Sequence, residues 1–146
     1  MANGTQLNRQ QFIRTLSQTY NAIARKIEEL INLMNEGGEN QNKEIKERAK
    51  QIIAFLDVFK RSCEAEIEVV KRAIARDEIF LHFLKEIRDT VRDLKVLLKV
   101  VEKGNVSERE SLKLIRDLDK NYRKIMRELT IESAKQTTVV RKAAFA

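Results

Sequence analysis

The sequence predicts an all-α protein, an antiparallel helical bundle with coiled-coil-like packing. Ala, Glu, Lys, Arg and Leu make up 71 of the 146 residues, a composition typical of long helices. Proline is absent and glycine occurs four times, so residues that break helices are rare. Apolar residues recur at alternating steps of three and four, the spacing of helices that bury one face. This length fits one domain, and we treat residues 1–146 as a single helical domain.

The first helix is predicted over residues 8–36. Its apolar positions follow a strict heptad repeat. Gly37 and Gly38 then supply the left-handed conformation that often closes a helix. The heptad positions are candidate helix-packing residues: Ile13, Leu16, Tyr20, Ile23, Ile27, Leu30 and Met34.

Residues 43–103 contain neither glycine nor proline, and two architectures follow from this. The apolar repeat slips after Cys63, continues through Ile74 and restarts at Phe80. If the chain turns near Asp77, which can cap a helix N-terminus, helices over 43–75 and 78–103 belong to a four-helix bundle. If it does not turn, one helix spanning about 43–103 reaches about 90 Å and leaves a three-helix protein.

The last helix is predicted over residues 107–142, because Ser107 and Glu110 fit a capping box. Its apolar face is predicted to comprise Leu112, Ile115, Leu118, Tyr122, Ile125 and Leu129. The pattern weakens beyond Leu129, so the tail is expected either to fray or to dock on a partner.

The segment 94–101 carries a broad apolar face, with six apolar residues out of eight. Such a face is too wide for one helical neighbour. We expect it to be buried from two sides, within a bundle or in an assembly. Its candidate packing residues are Leu94, Leu97, Leu98 and Val101.

The chain lacks the residues that most catalytic or metal sites need. It has one histidine and one cysteine, whereas a zinc site needs about four ligands. Cys63 occupies an apolar-face position and is expected to be buried; His82 borders an apolar face, with Glu78 one turn before it. The acidic residues among 64–68 are expected on a solvated face. We therefore expect no enzyme activity, no cofactor and no metal.

The expected location is intracellular, either cytoplasmic or nuclear or nucleoid. A lone cysteine cannot form an intramolecular disulfide, and no secretory leader pattern is visible. No apolar run approaches the roughly 20 residues of a membrane span, and membrane association is not expected.

The net charge of +7 is confined to the two ends of the chain. Residues 1–27 carry +4, residues 28–119 carry −2 and residues 120–146 carry +5. Basic ends of this kind suit nucleic acid or another acidic partner. The candidate phosphate-contacting residues are Arg9, Arg14, Arg25, Lys26, Lys120, Lys124, Arg127, Lys135, Arg141 and Lys142.

Two functional hypotheses follow. The first is a non-enzymatic structural or assembly protein that acts through helix packing, by self-association or with a helical partner subunit. The second is a sequence-independent nucleic-acid-coating protein, of the nucleoid or viral nucleocapsid or coat type, whose basic terminal helices contact phosphates.

Overall fold

The computed structural model describes residues 4–38 and 41–145, which form four α-helices. They are α1 Gly4–Glu36, α2 Asn42–Arg72, α3 Glu78–Lys103 and α4 Glu108–Phe145. The four-helix bundle is confirmed, and a continuous helix across 43–103 is wrong. The terminal helices are longer than predicted, since α1 begins before residue 8 and α4 ends beyond residue 142.

The helices alternate in direction and pack around a square. Each packs against its neighbours in sequence, and α1 also packs against α4, which closes the bundle. Short connections between consecutive helices favour this arrangement. The most extensive contacts are α2 with α3 and α1 with α4. The first and last helices of the chain therefore lie side by side.

The turn between α2 and α3 is held by a contact from α1. Asp77 caps α3, its Oδ1 accepting a hydrogen bond from the Phe80 amide at 3.0 Å. Its other oxygen, Oδ2, accepts from Arg9 Nη1 at 2.6 Å. The Arg9 guanidinium also lies 4.4 Å from the centre of the Phe80 ring. One residue of α1 thus holds both the cap and the first turn of α3.

The predicted end of α2 at residue 75 is corrected by this turn. α2 ends at Arg72, and Ile74 is fully exposed in the connection. The helix stops because the backbone is extended at Ala73, whose N–H donates to Val70 O at 3.3 Å. Ile74 therefore falls outside the helix, although its spacing fits the apolar repeat.

Glycine ends α3 as predicted. Gly104 has a φ of 76° and donates a backbone hydrogen bond to Val100 O at 3.2 Å. A Cβ atom at this position would overlap the side chain of Lys46. Residue 104 therefore favours glycine because of its left-handed backbone, whereas the end of the flexible Lys46 side chain could move aside.

The core runs along the bundle axis and consists mainly of the predicted repeat positions, together with buried residues such as Ile31 and Leu81 that were not predicted. Its centre is Tyr20, whose ring packs 5.5 Å from that of Phe59. The Tyr20 hydroxyl donates to the backbone oxygen of Tyr122 at 2.8 Å. Burial raises the pKa of Tyr20, and the neighbouring Tyr122 adds to the rise. This hydrogen bond joins α1 to α4 inside the core.

Two expectations for α4 are corrected. Leu112 is 57% exposed and Leu114 is buried in its place, because Leu114 fits the helical spacing that leads to Leu118. The helix also stays packed past Leu129. Glu132 and Gln136 occupy buried positions there, and the Gln136 amide donates a hydrogen bond to the Glu132 carboxylate at 2.8 Å. This hydrogen bond offsets the cost of burying two polar side chains in an otherwise apolar row.

We predict that Asp77→Ala lowers the free energy of unfolding by about 1 to 2 kcal/mol, since it removes a helix cap and a half-exposed ion pair. Asp77→Asn is the matched control. Asparagine caps helices about as well as aspartate, so this variant should lose less than half as much. Urea unfolding followed by circular dichroism measures both, and equal losses in the two variants would contradict the capping role.

Candidate functional site

The predicted helix-packing residues lie in the bundle's own core. Nine are buried, and Met34 and Leu97 are partly buried against that core. In this structure their packing is within one chain. The broad face of residues 94–101 is covered only in part, since Val96 and Val100 remain exposed.

The candidate phosphate-contacting residues are brought together by the contact between α1 and α4. Four lie on α1 and six on α4, and all are exposed except Arg9, which is half-buried beside Asp77. We define the basic face as the outer side of α1 over residues 9–26 and of α4 over residues 120–142. Two charge clusters more than 90 residues apart in sequence thus lie on adjacent helices. Two of the candidates lie at the borders of this face: Lys26 is over Phe55 of α2, and Lys135 lines the cleft between α3 and α4.

A polar groove of about 460 Å³ runs along the seam between α1 and α4. Steps of three and four place Arg14 and Arg25 on the same side of α1 as its lining residues. On α4, Arg123 follows the same spacing relative to Thr130. The groove is lined by Ser17, Asn21, Met126, Leu129, Thr130, Ser133, Ala134 and Thr137.

The sequence interpretation missed this groove, and a signal for it exists. Ser17 and Asn21 on α1, like the hydroxyl residues Thr130, Ser133 and Thr137 on α4, follow helical spacing beside an apolar row. The Ser17 hydroxyl is buried and has no hydrogen-bond partner among the described residues. The pairing of the two polar rows depends on which helices are neighbours.

The two acidic residues of 120–142 point away from the basic face. Glu128 lies in the cleft between α3 and α4, opposite Glu86. Glu132 lines the same cleft and is buried against Gln136. Burial raises the pKa of Glu128, Lys124 lowers it, Glu86 raises it and Arg127 lowers it. The outer side of α4 keeps its positive charge because these carboxylates face α3.

Ion pairing leaves most of the basic face unneutralised. Arg9 pairs with Asp77, and Arg123, a residue not predicted for this face, pairs with Asp119 at 2.9 Å. Lys26 lies over the Phe55 ring at 5.4 Å. Within the described part of the chain, the following candidate bases form no ion pair: Arg14, Arg25, Lys26, Lys120, Lys124, Arg127, Lys135, Arg141 and Lys142.

Cys63 is buried, as predicted. Burial raises the pKa of the Cys63 thiol to about 12, with a further rise from Glu64 and an opposing effect of Arg88. The thiol is therefore neutral at physiological pH, whereas a nucleophilic cysteine needs the thiolate.

The other residues considered for chemistry lie on the surface. His82 is exposed and its Nε2 lies 3.3 Å from Glu86, one turn after it. The expected neighbour Glu78 pairs with Arg76 instead. Glu64 and Glu68 are exposed beside lysines, and Glu66 is half-buried with a raised pKa because of burial, which Arg9 partly offsets.

Among the described residues, no group of three or more His, Cys, Asp or Glu side chains is placed to hold a metal ion. In the same part of the chain, each helix is too short or too polar to cross a bilayer. The chain matches no protein-family model, no curated protein sequence and no solved structure.

We predict that the wild-type protein loses more stability between pH 8 and pH 10 than Cys63→Ala does. Folding raises the thiol pKa from 9.0 to about 12, so the folded state holds this proton more tightly than the unfolded chain. The Cys63 thiol makes its full contribution to the free energy of unfolding below pH 9, and this contribution declines as pH rises toward 12.

Urea unfolding at several pH values measures the difference between the two proteins. The variant also loses packing, so its stability is lower at every pH, but its decline with pH should be shallower. Identical declines would show that folding leaves the pKa of the Cys63 thiol unchanged.

Proposed function

We propose that the protein is a non-enzymatic nucleic-acid-binding protein of the coating type, which contacts the phosphate backbone through the basic face. One observation carries the proposal: the two basic ends of the chain lie side by side on α1 and α4, with their unpaired cations exposed. A surface with an excess of positive charge attracts polyanions and raises association rates.

The residue types on the basic face favour backbone contact without base recognition. Arginine, lysine, serine, threonine and asparagine are common partners of phosphates and sugars, and such contacts position a protein without reading sequence. Arg14 and Arg25 border the polar groove on α1, and Lys124 and Arg127 project from the outer side of α4. Small polar residues between them leave room for a phosphate chain to approach.

Binding of this type depends steeply on salt. Each cation that contacts phosphate releases a counterion and adds about 0.9 to the slope of log affinity against log salt. Six such contacts correspond to a loss of about 1,000-fold between 50 and 200 mM salt. Nine of the ten candidate cations are exposed and form no ion pair within the described part of the chain, so a loss of this size is expected.

We predict that replacing four cations of the basic face abolishes most of the binding to a labelled 30-base-pair DNA duplex. The measurement is fluorescence anisotropy at 50 mM and at 200 mM salt. If all four contact phosphate, the salt slope should fall by about 3.6. The substitutions are Arg14→Gln, Arg25→Gln, Lys124→Gln and Arg127→Gln.

A matched control removes the same charge from the other side of the bundle. It carries Lys50→Gln, Arg61→Gln, Arg72→Gln and Lys99→Gln, all at exposed positions of α2 and α3. This control should keep at least half of the wild-type salt slope. If both variants weaken binding equally, the effect belongs to net charge and the proposed face is wrong.

A second candidate function, self-association, is favoured by the side of the bundle formed by α3 and α4. Exposed apolar residues occur there at one end, with Ile79 81% and Ile131 50% exposed. The same cleft presents Glu86 and Glu128 beside Lys135. A surface with both charges and apolar residues can pair with its own copy across a two-fold axis, and a second copy is the proposed partner.

Ile131→Glu should weaken this association, because it places another carboxylate among apolar residues and beside Glu128. Sedimentation velocity over a range of concentrations measures the monomer fraction. Leu112→Glu, at a position of α4 that is 57% exposed and lies away from this cleft, adds the same single negative charge and should leave association unchanged. A wild-type protein that is monomeric at every concentration would exclude this candidate.

A further inference from the structure

We infer that the ligand of the basic face is duplex nucleic acid, bound from outside its grooves along one helical turn, and that single strands bind more weakly. This inference rests on the proposed function and adds the form of nucleic acid to it. Three features of α1 and α4 carry it: their combined width, the placement of their aromatic residues and the length of the row of cations.

The combined width of α1 and α4 excludes insertion of the pair into a groove of the duplex. α1 and α4 pack against each other and together line the polar groove. A helix with its side chains is about 10 to 12 Å across, and packed axes lie about 8 to 10 Å apart, so the pair is about 20 Å wide. The major groove is about 12 Å wide and the minor groove about 6 Å. The face therefore meets the phosphates that border the grooves.

The aromatic residues argue against a single strand. Single-stranded nucleic acid is commonly bound by stacking its bases on exposed aromatic side chains. On α1 and α4, Tyr20 and Tyr122 are buried and Phe12 is partly buried, among the residues whose side chains are described. The exposed Phe55 belongs to α2 and is covered on one side by Lys26. The basic face therefore offers charge without a stacking surface.

The length of the cation row matches one turn of a duplex. On α4 the row runs from Lys120 to Lys142, which is about 33 Å at 1.5 Å per residue. One turn of B-form DNA is about 34 to 36 Å, or about 10 base pairs. Arg14 and Arg25 on α1 flank the middle of this row across the polar groove. A stiff row of cations suits a stiff array of phosphates, since neither partner has to be ordered on binding.

The charge density of the nucleic acid also favours a duplex over a single strand. A duplex carries about one negative charge per 1.7 Å of its axis, and the counterion effect per contact is about 0.9 for a duplex and about 0.7 for single strands. The same cations therefore release more counterions from a duplex. Because the described residues of the basic face offer no aromatic stacking surface, this difference in counterion release gives the face its preference for a duplex.

The test is anisotropy of the full chain against four labelled probes at 100 mM salt. They are a 20-base-pair DNA duplex, a second duplex of unrelated sequence, and the two 20-nucleotide strands that pair to form the first duplex. The two duplexes should bind with affinities within about twofold of each other, and each should bind at least tenfold tighter than either strand. Titration of a long duplex to saturation should give one protein per about 10 base pairs.

The other outcomes distinguish failure of this inference from failure of the proposed function. Strands that bind as tightly as the duplex would overturn the inference and leave the proposed function standing. A duplex preference that depends strongly on sequence would also overturn it, because groove insertion would then be required. If none of the probes binds, even at 20 mM salt, the proposed function fails together with the inference.

A substitution checks that the face is the surface in use. Arg127→Gln should lower the salt slope for the duplex by about 0.9 and leave its tolerance of sequence unchanged. Arg61→Gln, at an exposed position on α2, removes the same charge and should leave the slope as it is. Equal slopes for the wild type and Arg127→Gln would place the duplex elsewhere on the bundle.

Discussion

The contact between the first and the last helix is the interaction on which the rest of the structure depends. Tyr20 lies at its centre, fully buried, and its hydroxyl reaches the backbone of Tyr122 across 102 positions of sequence. A buried tyrosine needs such a partner, since an unpaired hydroxyl in the core is costly. This contact closes the square of helices, creates the polar groove and joins two basic segments that the sequence keeps apart.

The second structural constraint is the turn at Asp77. Neither glycine nor proline marks this turn, and helical periodicity alone allows a continuous helix. Arg9 decides the outcome, because it binds the capping carboxylate and covers the Phe80 ring. The turn is therefore stabilised by α1 as well as by its own residues. The contacts of Arg9 with Asp77 and Phe80 also hold the N-terminal part of α1, where the basic face begins, against the bundle.

Charge is distributed over the surface according to which helix faces which. The two acidic residues of 120–142, Glu128 and Glu132, lie toward α3 or in the core. The bases of the same segment are exposed, and of these Lys135 borders the cleft with α3. A net charge of +7 on a small bundle thus becomes a surface with one strongly positive side. The fold supplies this asymmetry, and the proposed binding to a phosphate backbone requires it.

The sequence alone specifies the helical class, most core positions and four of the helix boundaries to within one residue, because heptad spacing, glycine and capping residues act locally. It also identified the basic residues individually. Only the tertiary structure decided the turn at Asp77, the exposure of Leu112 and Ile74, and the meeting of α1 with α4. These features depend on contacts between residues distant in sequence, such as Arg9 with Asp77, which no local periodicity encodes.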